Sequence, residues 1–152
     1  MNGLRRYWIP VVVFALLLGN VLSAAQSTRA AAAPPISTLT AIRAAYHPEA
    51  TPRYDRVVFE FNGALPLIDV HYVSSAILQV RMTPAQAHNA QGASTAPARI
   101  RITNGLSNVK EVVRASDVEA SVIYGIGLAE RAEIRVITLG NPSRVVVDVL
   151  NQ

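Results

Sequence analysis

The strongest constraint on the fold is a series of short segments in which apolar and polar residues alternate with a period of two. Val and Ile dominate these segments, and turn sequences such as Asn62-Gly63, Asn104-Gly105 and Asn141-Pro142 separate them. No long segment with helical periodicity intervenes, so we predict an all-β domain, an antiparallel sandwich or partly open barrel of eight or nine strands. The predicted strands are residues 39–45, 56–61, 69–73, 76–82, 99–103, 109–115, 120–124, 133–139 and 144–150.

Two of these segments are near repeats of each other. Residues 56–61 read RVVFEF and residues 144–149 read RVVVDV, so each places an arginine and an acid four positions apart. In a strand, this spacing puts both charges on one face and three large apolar residues on the other. If the two strands are antiparallel neighbours, pairing Val58 with Val146 sets Arg56 opposite Asp148 and Glu60 opposite Arg144. The residues predicted to enter the core are Val57, Phe59, Phe61, Val145, Val147 and Val149.

The charges of the repeat have two interpretations. Cross-strand charge pairs are ordinary on solvated strands, where each stabilises the sheet by only about 0.2 to 1 kcal/mol. Alternatively, ordered rows of arginine and carboxylate groups on rigid strands form a recognition face for a carboxylate or amide ligand. The candidate ligand-binding residues are Arg56, Glu60, Arg144, Asp148 and Tyr124.

Residues 83–98 interrupt the alternation with small and polar residues and two prolines. We expect a long loop here, with a short helix that Thr83 caps and Pro84 begins. Loops of this length are either disordered or functional, and the small residues after Asn89 favour disorder. Between Gly125 and Gly127, we expect a tight turn or a bulge.

The N-terminal segment has the pattern of an export signal. Arg5 and Arg6 precede an apolar run over residues 9–22, and small residues at 23–25 offer a cleavage site before Gln26. The alternative is a retained membrane anchor, since residues 8–25 approach the length of a spanning helix. We therefore predict a signal or anchor helix over 1–25, a flexible linker over 26–35 and a β-domain over 36–152, located outside the cytoplasm.

Composition narrows the classes of partner and chemistry. The chain has no cysteine, so it contains no disulfide, no thiolate metal ligand and no lipid-modified cysteine. Without Arg5 and Arg6, 12 basic and 10 acidic residues remain, a net charge of +2. The arginines are interleaved with acids and form no basic cluster in the sequence, which argues against nucleic acid as a partner.

Motifs for catalysis or cofactor binding are missing from the sequence. His47, His71 and His88 lie on different predicted elements without the spacing of a zinc site, and we expect each to lie on the surface or in a loop. The sequence contains no nucleophile elbow and no complete dinucleotide-binding motif. The acid pairs at 117/119 and 130/133 are explained by solvated turns or strand edges. We therefore predict a protein that is not an enzyme and that uses no cofactor or metal.

The chain resembles the AMIN-like domain of exported bacterial proteins, a relative of the AMIN domain. The resemblance covers the whole β-domain and rests on five segments in order: residues 54–63 (YDRVVFEFNG), 70–73 (VHYV), 83–88 (TPAQAH), 124–128 (YGIGL) and 144–149 (RVVVDV). It implies a β-rich, sandwich-like fold and a role in envelope localisation, which in AMIN domains attached to cell-wall amidases is targeting, often through peptidoglycan. This chain contains no amidase domain.

Two functions of different class follow from these observations. The first is a glycan-binding module that recognises peptidoglycan or another wall polymer through arginine, acid and tyrosine groups on a sheet face. The tyrosines available are Tyr46, Tyr54, Tyr72 and Tyr124, each of which could instead pack at the edge of the core. The second is an adaptor for an envelope protein, which adds a strand to an exposed sheet edge.

Overall fold

The computed structural model describes residues 33–151, which contain ten β-strands and no helix. The predicted signal or anchor segment and most of the predicted linker lie outside the described residues. The strands are β1 (Ser37–His47), β2 (Tyr54–Asn62), β3 (Leu67–Ser74), β4 (Ile77–Thr83), β5 (Ala85–Gln86), β6 (Arg99–Arg101), β7 (Val109–Val118), β8 (Ser121–Leu128), β9 (Ile134–Leu139) and β10 (Ser143–Leu150).

The strands form two five-stranded sheets. The first has the order β5-β1-β2-β10-β9 and the second the order β3-β4-β8-β7-β6. Every ladder is antiparallel except the short parallel pairing of β1 with β5. The prediction of an all-β, mainly antiparallel fold is therefore confirmed, and each of the nine predicted segments overlaps a strand, although the predicted segment 120–124 ends four residues before β8 does.

One hydrophobic core lies between the two sheets. Strands β2 and β8 alternate strictly between buried and partly exposed positions, as a strand with one face against a core should. The six core positions predicted from the repeat are all buried, with Phe61 the most exposed at 3%. They pack in the same cluster as Leu78, Val80, Val122 and Ile126 of the second sheet. Burial of these apolar surfaces is the main source of stability.

The segment 83–98 differs from the expected loop. No helix forms, because Ala85 and Ala87 are fully buried and the backbone at Ala85 is extended in β5, where its N–H donates to the carbonyl oxygen of Ala120 at 2.8 Å. The expectation of disorder is also wrong. The Asn89 side chain accepts hydrogen bonds from two backbone amides of the loop, and the Thr95 hydroxyl donates to the carbonyl of Leu39 at 2.7 Å. The small side chains let this segment pack closely on the domain.

The two glycines at 125 and 127 lie within β8 and not in a turn. Gly127 pairs with Glu111 on β7, next to a register shift between Val109 and Glu111, so the irregularity is a bulge in the neighbouring strand. A Cβ atom at Gly127 would lie 3.1 Å from the Cγ atom of Glu111. Glycine at this position leaves room for the Glu111 side chain to lie across the strand.

Candidate functional site

The twin strands identified from the repeat are neighbours at the centre of the first sheet. Strand β10 pairs with β2 in antiparallel fashion with Val146 opposite Val58, which confirms the predicted register. Arg56 consequently faces Asp148, and the contact is bidentate: Nε donates to Oδ1 at 2.7 Å and Nη2 to Oδ2 at 2.9 Å. This geometry fixes the guanidinium plane as well as the distance between the charges.

A second arginine binds the same carboxylate from the other side. Arg135 of β9 lies opposite Asp148 in the β9–β10 ladder, and its Nε and Nη2 donate to Oδ2 at 3.1 and 2.7 Å. Arg135 lies outside the repeat and was not among the predicted site residues, although the short connection after Leu139 predicts a hairpin whose register brings it to Asp148. Its side chain is 49% exposed, whereas that of Asp148 is completely buried.

Aromatic rings complete the cluster. The guanidinium carbons of Arg56 and Arg135 lie 4.9 and 5.2 Å from the centroid of the Tyr54 ring, and the imidazole of His47 stacks on that ring at 4.7 Å. Cation–π contacts of this kind orient guanidinium groups while leaving their edge donors free. Tyr54, Arg56, Arg135 and Asp148 are called the arginine cluster below.

The burial of Asp148 is made possible by its partners. Burial alone would raise the pKa of this carboxyl group, but hydrogen bonds from Arg56 and Arg135, together with their charges, outweigh it and lower the pKa below its usual value. The hydrogen bond to Asp148 correspondingly raises the pKa of Arg56. The cluster therefore contains two permanent positive charges and one permanent negative charge at neutral pH.

The other predicted charge pair of the repeat does not form. Arg144 lies opposite Glu60 in the ladder, but Glu60 makes its ion pair with Arg43 of β1, at 3.2 Å. The Nε atom of Arg144 is buried and makes no hydrogen bond within the described residues. The predicted row of alternating charges is therefore not observed. The charges form two separate ion-pair groups, one around Asp148 and one around Glu60, and the Nε atom of Arg144 has no partner within residues 33–151.

Tyr124 lies away from this face. Its ring is fully buried and contacts Phe59, with ring centroids 5.5 Å apart, and its hydroxyl donates to the carbonyl of Pro97 at 2.7 Å. Burial raises the pKa of Tyr124 to about 12. A side chain without accessible surface presents nothing to a ligand, so Tyr124 belongs to the core and the arginine cluster does not include it.

The outer face of the first sheet has an excess of positive charge. Its charged side chains on β1, β2, β9 and β10 are Arg43, Arg56, Arg135, Arg144, Glu60 and Asp148, a net charge of +2. Each guanidinium has five N–H donors, and Asp148 occupies two from each of its two arginines. The remaining donors are available to an anion, for which a carboxylate is the matching planar group.

A second buried carboxylate has no recognisable motif in the sequence. Asp55 is fully buried and accepts hydrogen bonds from the backbone amides of Ser107, Asn108 and Val109, at 3.0, 2.6 and 2.8 Å. The amide of Asn151 contacts it at 3.5 Å. Because every partner is a group of the protein's own loop or C-terminal segment, Asp55 fastens these segments together and does not face a ligand.

The three histidines and two concavities of residues 33–151 differ from the arginine cluster in their surroundings. His47, His71 and His88 each pair with a different carboxylate, and residues 33–151 contain no group of three His, Asp or Glu side chains arranged for a metal ion. A concavity of about 480 Å³ opens between the β1–β2 turn and Asn151, and one of about 160 Å³ lies beside Leu67. Neither is lined by the arginine cluster, which lies on an open sheet face.

No helix able to cross a membrane occurs in residues 33–151. The family model of the AMIN-like domain matches residues 37–151, a span that contains all ten strands. No curated protein and no solved structure matches the chain.

Proposed function

The chain belongs to the AMIN-like domain family, whose members are modules associated with the cell envelope, and we propose that it is a non-catalytic localisation module that binds an acidic wall polymer. The ligand-binding surface is the outer face of the first sheet, with the arginine cluster at its centre. Peptidoglycan is the leading candidate, because the peptides that branch from its glycan chains carry free carboxylates.

The observation that carries this proposal is the uncompensated charge of the arginine cluster. One buried carboxylate fixes two guanidinium groups, which share a tyrosine ring and retain unused donors, and the side chains of Arg56 and Arg135 are 28 and 49% exposed. Fixed donors bind an anion with little loss of side-chain entropy, which is the advantage of preorganisation. An open face also suits a polymer, since an extended ligand needs no enclosed pocket.

We propose that the protein is exported. An envelope module acts outside the cytoplasm, and the apolar run over residues 9–22 after Arg5 and Arg6 provides either a cleaved signal or a membrane anchor. Detection of the protein in cell fractions, with its N-terminus sequenced, distinguishes a start at Gln26 from an intact Met1.

Cosedimentation with insoluble cell-wall sacculi tests the binding function. We expect the protein to bind sacculi at moderate salt and Arg135→Ala to weaken binding several-fold, because Arg135 supplies exposed donors while Arg56 continues to neutralise Asp148. Arg81→Ala is the matched control, since it removes an exposed arginine from the second sheet and leaves the cluster intact.

Chemical modification of the polymer separates carboxylate recognition from general charge attraction. Sacculi whose carboxylates have been amidated should no longer retain the protein. Equal binding to native and amidated sacculi, or equal loss in Arg81→Ala and Arg135→Ala, contradicts carboxylate recognition by the cluster. If the protein does not bind sacculi above background, the proposal of a wall-polymer ligand fails.

An adaptor function is the second candidate, and the edge of the first sheet favours it. Strand β9 has a single neighbour within the described residues, and its Val136 and Leu139 side chains are each 41% exposed. An exposed edge strand accepts a partner strand by backbone hydrogen bonding. Crosslinking in intact cells from Val136→Cys, carrying a photoreactive group, should then capture an envelope protein, whereas failure to capture any protein argues against the adaptor.

A further inference from the structure

Four large apolar side chains are exposed together at one end of the domain. Ile36, Leu65, Leu67 and Val118 are 51, 41, 79 and 62% exposed, and they account for half of the exposed large apolar residues in the described part of the chain. Large exposed apolar surface on a soluble domain commonly marks an interaction site. These four residues are called the entry patch.

Backbone contacts connect residues of the entry patch, or residues near them in the chain, to Thr83–Ala85. The amide of Ser37, next to Ile36, donates to the carbonyl of Pro84 at 3.2 Å, and Leu67 pairs with Thr83 at the start of β3. The β7–β8 hairpin reaches the same place, since Ala85 donates to Ala120, two residues after Val118, at 2.8 Å. Leu65 lies in the short connection between Asn62, the partner of Thr38, and Leu67.

This end of the domain is also where the chain enters it. Ile36 immediately precedes β1, and thirteen residues (23–35) separate it from the apolar run over residues 9–22. Even if fully extended, a connection of this length spans at most about 45 Å. Where the apolar run is retained as a membrane anchor, it holds the entry end of the domain within this distance of the lipid surface.

We propose that the entry patch rests on the surface of a phospholipid bilayer. The aliphatic side chains of Leu67 and Val118 enter the boundary between headgroups and acyl chains, where buried apolar area supplies the affinity. The charged groups nearby are Arg81, Asp69 and Glu119, whose net charge of −1 does not attract the domain to an anionic lipid surface. The contact is therefore driven by apolar burial, and its strength is insensitive to salt.

This contact leaves the arginine cluster accessible. The entry patch lies at the end of β2 marked by Asn62, whereas Arg56 lies six residues away, a distance of about 20 Å along the strand. The outer face of the first sheet runs alongside the strands and not across their ends. The entry patch shares no residue with the arginine cluster, so contact with a bilayer does not depend on wall-polymer binding.

Depth-dependent fluorescence quenching in vesicles tests the proposal, and the absence of native cysteine makes the labelling specific. The full chain is prepared as Leu67→Cys, Val118→Cys or Val73→Cys, labelled with a small fluorophore and reconstituted in phosphatidylethanolamine and phosphatidylglycerol vesicles that contain brominated acyl chains. Val73 is the matched control, because it is 53% exposed and lies at the opposite end of the same strand as Leu67.

We expect several-fold stronger quenching at positions 67 and 118 than at position 73, unchanged between low and high salt. Adding Leu65→Glu to the labelled Leu67→Cys chain should reduce the quenching at position 67, since it places a charge in the patch. Absent quenching at positions 67 and 118 overturns the proposal, as does equal quenching at all three. The fluorophore at position 67 could also be shielded from water without being quenched by brominated lipid. This result overturns the proposal, because another protein surface then covers the patch.

Discussion

Asp148 is completely buried and accepts two hydrogen bonds from Arg56 across the β2–β10 ladder. A carboxylate in such a place requires neutralising partners on both sides, which Arg56 and Arg135 provide. Asp148 thus serves two purposes: it stabilises the sheet and it orients the donors of the arginine cluster.

Asp148→Asn should destabilise the domain by about 2 kcal/mol, because two partly exposed guanidinium groups lose their counter-charge and the buried NH₂ group of asparagine faces their N–H donors. The free energy of unfolding from urea titration at neutral pH checks this value. Asp69→Asn is a suitable control, since the Asp69 carboxylate is 60% exposed and should contribute less than about 0.5 kcal/mol. A loss below 1 kcal/mol for Asp148→Asn would contradict the assigned role.

The same carboxylate makes stability depend on pH. Its pKa is lowered in the folded protein, so its contribution is present above the unfolded value of about 4 and is lost as the pH falls through the folded value. The difference in unfolding free energy between the native chain and Asp148→Asn should therefore narrow below about pH 4. Urea titrations at intervals from pH 6 to pH 3 measure it, and a gap that stays constant over this range refutes the linkage.

The register of β2 against β10 could be predicted on the condition that the two strands are antiparallel neighbours, because both carry the same pattern of charged and apolar residues. The burial of Asp148 could not, since it depends on Arg135, a residue of a third strand, covering the carboxylate from the other side. The alternation along one strand shows which face of the sheet a side chain lies on. It does not show which side chains of the adjacent strands cover that side chain. Glu60 shows the same limit, because its nearest cation is Arg43 of β1 and not the residue opposite it on β10.

The loop over residues 83–98 was misjudged for a related reason. Alanine and asparagine bury little surface by themselves and therefore look disordered in a sequence. In the folded chain, the small side chains of Ala85 and Ala87 fit against the core, and Asn89 and Thr95 satisfy backbone groups. Asp55 was overlooked because its three amide donors lie 52 to 54 residues away in the chain.

Asp55→Asn should cost about 3 kcal/mol of stability. Its oxygens accept three backbone N–H groups in a buried site, and the NH₂ group of asparagine would face one of these donors in either orientation. Hydrogen exchange provides the specific readout, since the amides of Ser107, Asn108 and Val109 should lose protection together. Unchanged protection of these three amides would show that Asp55 does not fasten the loop.

The buried hydroxyl group of Tyr124 should make the folded domain less stable at alkaline pH. Burial raises its pKa to about 12 in the folded protein, above the value of about 10 expected when unfolded. A group whose pKa is raised on folding stabilises the fold below its unfolded pKa, and this contribution disappears as the pH rises toward the folded value. Between pH 10 and pH 12, the free energy of unfolding should therefore fall by up to about 1.4 kcal/mol per pH unit from this group.

Tyr124→Phe isolates this effect, because phenylalanine keeps the buried ring and removes only the ionisable hydroxyl. At neutral pH the variant should be less stable by about 1 kcal/mol, since the hydrogen bond to the carbonyl of Pro97 is lost. As the pH rises above 10, the native chain should lose stability faster than the variant, so that the two converge and then cross. Parallel stability curves from pH 9 to pH 11.5 would mean that the Tyr124 hydroxyl is as free to ionise in the folded domain as in the unfolded chain.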